Sequence, residues 1–578
     1  MTDLSLTSTS SGTEPVIVTR EFDQHACARL IEQHVHPIMA RVFAARGITR
    51  SEDLETSLTT LLGFTDLRNC ERAARLLADA ITRKERLLIV ADYDADGATA
   101  CALGVSVLGA LGADVGYMVP NRFEHGYGLT PEIVELAAAR SPQWIVTVDN
   151  GIASVDGVVR ANELGIRVLV TDHHLPGDEL PPAACIVNPN QADDNFPSKN
   201  LAGVGVMFYV LLALRAQLRE RGWFGQREEP NLADHLDLVA LGTVADVVRL
   251  DENNRTLVTQ GLKRIRGGRA RPGILALFEV AGRDPRKASG YDLGFILGPR
   301  LNAAGRLTDM ALGIECLLST DCERAIELAS QLDSLNRERR EVEAQMRDSA
   351  LEIVDSIAVD ERFGLALYDP GWHHGVVGIL ASRLRERFHR PVIALAPAND
   401  GEAKGSGRSI PGLHLRDTLD LLAKRHPGLV LKFGGHAMAA GLTIRQADAD
   451  RFATAFDETV RSLLGPADLQ QNIEVDGSLP AADCTLELAS LLDGQVWGQG
   501  FVAPSFCDAF EVVDQRIVGG RHLKLRLQRA GGERPIDAIR FGDDTKFPEK
   551  VECVYRLQLN EFNGMRNAQL VIEHWRAL

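Results

Sequence analysis

Three times between residues 86 and 171 a short apolar run ends on an aspartate. RLLIVA (86–91) leads into Asp92, WIVTV (144–148) into Asp149 and RVLVT (167–171) into Asp172. Amphipathic helical stretches such as TPEIVELAAAR and SVDGVVRANELG separate these runs. Short buried strands alternating with helices predict an α/β fold whose parallel sheet is covered on both faces. Ligands of such sheets gather at the carboxyl ends of the strands, and here those ends carry acids. A fourth apolar run, LVALGTVA (238–245), reads as helix and ends on Asp246.

The acids limit the chemistry. In Asp92-Tyr93-Asp94-Ala95-Asp96-Gly97, three carboxylates within five residues repel one another unless a cation sits among them. A Ca²⁺ loop of the EF-hand type needs a preceding helix and a glutamate at its twelfth position. Here a strand precedes and the twelfth position is Leu103. Asp172-His173-His174 adds two imidazoles. One can bind metal while the other faces a substrate phosphate, with Asp172 orienting a ring nitrogen. Oxygen donors outnumber nitrogen and no cysteine takes part, which favours Mn²⁺ or Mg²⁺ over Zn²⁺. Two such cations are a device for splitting a phosphodiester or a phosphoanhydride, so the expected class is a phosphohydrolase.

At 578 residues the chain is too long for one core, and three or four domains are expected. The start, MTDLSLTSTSSGTEP, has neither the cationic nor the apolar region of a secretion signal. No uncharged apolar stretch reaches the roughly 20 residues needed to span a membrane. Nine scattered cysteines without a C-x-x-C pair fit a reducing, cytoplasmic setting. The net charge of −16 speaks against nucleic acid as a partner. Local charge speaks the other way: Arg516, Arg521, Lys524, Arg526, Arg529, Arg534 and Arg540 face only Glu533 and Asp537 in that stretch.

Elsewhere, residues 1–60 read as a loose tail followed by a helical lead-in, with His25, His34 and His36 as ordinary surface or core histidines. Residues 251–320 mix Gly-rich turns with GPRLNAAGRL. Residues 321–356 predict one long helix, whose stripe Leu332, Leu335, Val342, Met346 and Ile353 is interrupted by Arg339 and Ser349. Polar breaks of this kind suit an intramolecular strut better than a coiled coil. Residues 362–465 predict a second α/β unit carrying GWHHG, GSGRS and GGHAMAAG. In the last 110 or so residues, alternating runs such as HLKLRLQ and YRLQLN predict a small antiparallel barrel.

Taken together, DYDADG, Asp149, the Asp-His-His tripeptide and Asp246 resemble the four motifs of the DHH phosphoesterase superfamily. GWHHGVVGILASRL, GSGRS and GGHAMAAG resemble its DHH-associated domain. With GPRLNAAGRL and a β-rich C-terminus, the nearest resemblance is to the family of bacterial exonucleases that degrade single-stranded DNA from the 5′ end. It spans about residues 60–578. Asn150, where many relatives have Cys, and His374, where Gln is usual, are local departures. The resemblance implies an N-terminal extension (1–60), a DHH catalytic domain (61–255), a connector with a long helix (256–360), a DHH-associated substrate-binding domain (361–466) and an OB-like single-strand-binding barrel (467–578). It implies two divalent cations, Mn²⁺ or Mg²⁺. Asp94 and Asp96 each take one, Asp92 fills in at the first site, Asp149 bridges, and His173 and Asp246 complete the second. Asp172 and His174 then act as the catalytic pair, with His174 meeting the scissile phosphate.

For DNA, Arg300, Asn302 and Arg306 offer forks and an amide for phosphates. Ser406, Arg408, His373 and His436, on Gly-rich turns, would let backbone N–H groups assist. Ser406 and Arg408 are the candidates for reading a terminal 5′-phosphate. Arg122 could approach it from the opposite wall, with Tyr127 or Phe123 stacking on the end base. Arg521, Lys524 and Arg526 would track the downstream strand. A monomer working with a single-strand-binding protein and a helicase, away from membranes, is the setting implied. Two alternatives compete. Small-substrate relatives that hydrolyse pyrophosphate, cyclic dinucleotides or short oligonucleotides usually place a His where Val90 stands and lack the long tail. Non-catalytic scaffold relatives lose ligands that this chain keeps.

Overall fold

A computed structural model describes residues 14–120, 128–355, 359–398, 401–529, 534–562 and 564–578. They form two compact units. One comprises Phe22–Asn336 and Gly494–Ala503; the other comprises the chain up to Glu21, Arg337–Asp493 and Pro504–Leu578.

The first unit is built on a five-stranded sheet: β2 (Arg86–Ala91), β3 (Asp114–Met118), β4 (Trp144–Val148), β5 (Arg167–Thr171) and β6 (Cys185–Val187). The order is β3-β2-β4-β5-β6 and every pairing is parallel. β4 is buried at all five positions and β5 at four, as expected of strands covered on both faces. From β2 the chain passes outward to β3 and then returns to the far side of β2 as β4. The strand order therefore reverses between β2 and β4, and a crevice opens there above the carboxyl ends. Helices α1 (Ala95–Ala110), α2 (Gly203–Glu220) and α3 (Leu236–Ala245) pack around it.

GPRLNAAGRL is a helix, α4 (Gly298–Leu307), where Gly-rich turns were expected. Its proline lies in the first turn, where a missing N–H costs nothing. Gly305 is small because the Tyr93 carbonyl sits where a Cβ would go. The predicted long helix is α5 (Cys322–Asp355). Its polar breaks point inward and are paired: Asp333 with Arg300, Arg339 with Glu343, and Ser349 with Asp369.

In the second unit, β7 (Leu365–Tyr368), β8 (Val392–Pro397), β9 (Glu402–Arg408), β10 (Val430–Gly435) and β11 (Ala439–Arg445) form a sheet in the order β10-β11-β9-β8-β7. GSGRS, expected as a turn, is the end of the central strand β9. Its glycines make room for core side chains: a Cβ on Gly405 would lie 2.6 Å from Leu395, and one on Gly407 2.7 Å from Leu415. The expected barrel is closed, in the order β13-β14-β15-β17-β16, from β13 (Phe506–Val518), β14 (His522–Gln528), β15 (Ile536–Arg540), β16 (Lys550–Phe562) and β17 (Met565–Ala577). It is antiparallel except for β15 on β17. An eight-residue helix, Leu486–Asp493, precedes it. The expected loose tail contains a strand, β1 (Val16–Thr19), which pairs in parallel with β12 (Asn472–Val475). All nine cysteines are unpaired.

Candidate metal centre

The acids that end β2, β4 and β5 meet at the crevice together with Asp246, which caps the C-terminus of α3. Three overlapping sets have ligand atoms all within 4.8 Å of one another: Asp92, Asp94 and Asp149; Asp96, His173 and Asp246; Asp149, His173 and His174. His173 Nε2 lies 3.1 Å from Asp149 Oδ1 and 3.5 Å from Asp246 Oδ2. All three atoms are buried without a hydrogen-bond partner. Two carboxylate oxygens and a ring nitrogen that converge without bonding are missing a cation. The donor set, mostly oxygen with one or two imidazoles, fits Mn²⁺ or Mg²⁺.

The surrounding structure holds each ligand in place. Asp94 caps α1, its Oδ1 accepting from the N–H groups of Asp96 (2.9 Å) and Gly97 (3.0 Å). Asp96 accepts from Gly203 N–H (2.6 Å) and Val204 N–H (2.9 Å) at the start of α2, where the helix dipole favours an anion. Asp149 has φ +62°, in the left-handed region. Its N–H bonds to Thr171 O at 3.0 Å. Next to it, Asn150 Nδ2 reaches Val90 O (3.1 Å) and Val148 O (2.9 Å), tying the ends of β2 and β4 together. Asn188 and Asn190 fix the carbonyls of His174 and His173. Asn150, the α2 N-terminus and these two asparagines escape sequence reasoning, because none lies in an acid or histidine motif.

Burial and mutual repulsion dominate the electrostatics. Burial first, then Asp94, raise Asp92 well above the carboxylate range and Asp96 to about 7. Burial and Asp96 raise Asp149, and the same two causes raise Asp246. Asp172 departs from this pattern. Burial acts to raise it too, but the bond and charge of His174 outweigh burial and keep it below the usual value. His174 Nδ1 lies 2.8 Å from Asp172 Oδ1. Although burial opposes its charge, Asp172 lifts His174 to about 9. Burial, followed by the charge of His174, lowers His173 to about 4. The two adjacent rings are thus set as one neutral imidazole among the ligands and one imidazolium beside them.

The proposed DNA contacts fare unevenly. Arg300 needs correction as a phosphate fork. It is buried, bound to Asp333 at 2.8 Å and to Ile296 O at 2.6 Å. Asn302 is corrected likewise: its Oδ1 accepts from Ala95 N–H at 2.8 Å and so holds the DYDADG loop. Arg306 follows Gly305 on the same helix, half-buried. Arg122, Phe123 and Tyr127 lie outside the described residues. In the second unit Ser406 and Arg408 come together, with Arg408 Nη1 3.0 Å from Ser406 Oγ. Both side chains lie against Gly378 in the first turn of the helix Val377–Phe388. His373 accepts from Gly375 N–H at 3.1 Å, and His436 is exposed in the turn between β10 and β11. On the barrel Lys524 stands opposite Arg516, but Arg526 stands between Asp514 and Asp537 on its two neighbouring strands. Arg521 is exposed. Arg529 and Arg540 turn inward, to Asp508 and Asp543. The basic face is therefore narrower than the sequence implies.

A parallel sheet whose switch point carries a carboxylate–histidine cage for two divalent cations, ending in Asp-His-His, defines a protein of the DHH class. A DHH N-terminal domain model matches residues 86–243, a DHHA1 domain model residues 361–462 and a RecJ OB domain model residues 475–574. The chain is 52% identical over 549 residues to the single-stranded-DNA-specific exonuclease RecJ of Salmonella typhimurium, covering 93% of this chain and 95% of that protein. It is 51% identical over 567 residues to the RecJ of Escherichia coli, covering 96% and 98%. The crystal structure of RecJ from Thermus thermophilus in complex with Mn²⁺ matches with a TM-score of 0.82 at 30% identity, over 97% of this chain and 79% of that one. The chain belongs to the RecJ family.

Proposed function

We propose that this chain is a divalent-cation-dependent exonuclease specific for single-stranded DNA, which works from the 5′ end and releases mononucleotides in recombination and repair. The observation that carries this reading is the convergence of Asp149 Oδ1, His173 Nε2 and Asp246 Oδ2, buried and unbonded, in a member of the RecJ family.

Asp92, Asp94 and Asp149 would hold one Mn²⁺ or Mg²⁺, and Asp96, His173 and Asp246 the other, with Asp149 shared. Bound there, the cations supply Lewis acidity to the phosphate and an activated water. His173, neutral at physiological pH, offers Nε2 as a ligand. His174, kept protonated by Asp172 and one-third exposed, donates to a phosphoryl oxygen and offsets the charge gathering there. Ser406 and Arg408, beside a helix N-terminus, suit the extra charge of a 5′-phosphomonoester. The barrel face around Arg521 and Lys524 would hold the strand downstream.

Residues 61–255 would then be catalytic, 361–466 would bind the terminal nucleotide and 467–578 the single strand, with 256–360 joining them. The enzyme would act as a cytoplasmic monomer on strands exposed by a helicase and coated by a single-strand-binding protein. No described helix is long and apolar enough to cross a membrane. The test is a product time course on 3′- and 5′-labelled single strands, with or without a 5′-phosphate, in Mn²⁺, Mg²⁺ or EDTA. Mononucleotides released from the 5′ end only with a cation present are expected. Release from the 3′ end, or hydrolysis in EDTA, would overturn the reading.

A further inference from the structure

Beside the metal centre lies a feature that metal binding does not require. Asp292–Leu297 form a π-helical turn, a form that is rare and frequent at functional sites. It runs along the last turn of α3: a Cβ on Gly294 would lie 3.1 Å from Val244, and one on Gly298 3.1 Å from Ala245. Tyr291 and Phe295, four residues apart, stack with ring centroids 5.1 Å apart and planes inclined by 25°. Both face water, at 43% and 54% exposure. On α3, the residue after the ligand Asp246 is Val247. It is 63% exposed and has φ +61°, a conformation a β-branched residue adopts only when its surroundings force it.

A lone exposed apolar side chain is ordinary. Two stacked aromatic rings together with a strained valine, flanking a metal ligand, are a patch with a purpose. The patch presents flat aromatic faces, and those take up an unpaired base whatever its identity. A phosphate held at the metal centre brings the bases on either side of it close to the same rim. In duplex DNA those bases are stacked and paired, and they offer no free face.

We propose that Tyr291, Phe295 and Val247 form a stacking platform for a base next to the scissile phosphate, so that single strands are selected at the metal centre itself. The proposal rests on the exonuclease reading above. The platform takes a nucleobase rather than an apolar segment of another protein, because it continues directly from Asp246, where a nucleotide must lie during cleavage.

The experiment uses the full chain with Mn²⁺ and 5′-phosphorylated single strands that carry one abasic nucleotide at position 1, 2 or 3. The first cleavage is followed under single-turnover conditions for the wild type, Phe295→Ala, Tyr291→Ala and Phe295→Trp. On the intact strand Phe295→Ala should lower the apparent kcat/KM by about 5- to 150-fold, chiefly through KM, the range for one stacked base. The wild type should lose a similar factor at one abasic position, and Phe295→Ala should lose nothing further there. Phe295→Trp should restore the wild-type pattern. The Mn²⁺-induced rise in Tm should be the same in all four proteins, which separates a lost platform from a damaged metal centre. If Phe295→Ala keeps the wild-type rate, or shows the wild-type abasic penalty at every position, the platform is refuted and the patch serves a protein partner or packing. If the wild type releases no nucleotide from any strand, the exonuclease reading fails, whatever the variants do.

Discussion

A single methyl group at Gly203 should disable the metal centre without touching a ligand. Gly203 opens α2 beside the carboxylate shared by the two proposed cations. A Cβ built on it falls 2.6 Å from Asp149 Cβ, 2.7 Å from Oδ1 and 2.8 Å from Cγ. Ordinary contact begins at 3.4 Å, so the two groups must part by about 0.8 Å. Asp149 has nowhere to go: it is 1% exposed and its N–H is bound to Thr171. The N-terminus of α2 cannot retreat freely either, because Gly203 N–H is bonded to Asp96. Overpacking of this kind costs about 1–3 kcal/mol of stability. A displacement approaching 1 Å at the reacting centre costs on the order of 10²-fold in rate. Gly205→Ala is the matched control on the same helix, since its Cβ meets only the tip of Leu201, at 3.1 Å. Nucleotide release from labelled single strands and the Mn²⁺-induced shift in Tm would be measured for both. Gly203→Ala should lose about two orders of magnitude in rate and most of the Tm shift, and Gly205→Ala neither. A Gly203→Ala enzyme with more than a third of the wild-type rate and a full Mn²⁺ shift would refute the placement of Asp149.

Asp149→Ala should lose activity by orders of magnitude and bind fewer Mn²⁺ ions by titration, while affinity for a fluorescent single strand stays within a few-fold. Metal-free protein should lose thermal stability between pH 6.5 and 9. The raised His174 contributes stability that is complete below its unfolded value of 6.5 and is lost through about 9, and Asp96, raised to about 7, is progressively ionised at a cost up to that pH. Melting curves in EDTA should show this fall and curves in Mn²⁺ a smaller one; a rise with pH in EDTA would contradict the assignment. Arg408→Ala should lose most of its activity on 5′-phosphorylated strands and much less on 5′-hydroxyl strands, and equal losses would make Arg408 a general backbone contact. On the barrel, Arg521→Gln with Lys524→Gln should reduce the salt dependence of strand binding by about 1.4 in log–log slope, at roughly 0.7 per contact, whereas Arg526→Gln between its two aspartates should change it little.

The parts of the fold legible in the sequence are those in which one local pattern suffices. Five- and six-residue apolar runs ending on acids gave away both the parallel sheet and the rim that carries the ligands. Alternation in HLKLRLQ gave away the barrel, and unbroken helix formers gave away α5. What stayed hidden depends on distant partners. GPRLNAAGRL looks like turns until Gly305 is seen against Tyr93, and Arg300 looks like a phosphate fork until Asp333 is seen beside it. Asn302 contacts Ala95, 207 residues earlier. The glycines of GSGRS signal a turn locally, yet serve a central strand whose neighbours need the space. Strand β1 is four residues long, and its partner lies more than 450 residues away.

The strain at the centre has a physical reason. Of the seven described non-glycine residues with positive φ, Asp149 is a ligand candidate and Val247 follows another. Aspartate tolerates this conformation and valine does not, so the fold enforces at Val247 what it merely permits at Asp149. The enforcement comes from Asn150 tying β2 to β4, from Thr171 holding the Asp149 backbone and from Gly203 closing the space behind its carboxylate. Ligands fixed in this way cannot relax apart when no cation is present. Their repulsion is relieved by protons instead, which is why burial and neighbouring acids raise Asp92, Asp149 and Asp246 together. Cation binding must therefore expel protons, and apparent metal affinity should climb with pH. A looser cage would bind cations with less dependence on pH but would have to be organised anew in each catalytic cycle. A rigid cage meets that cost once, when the chain folds.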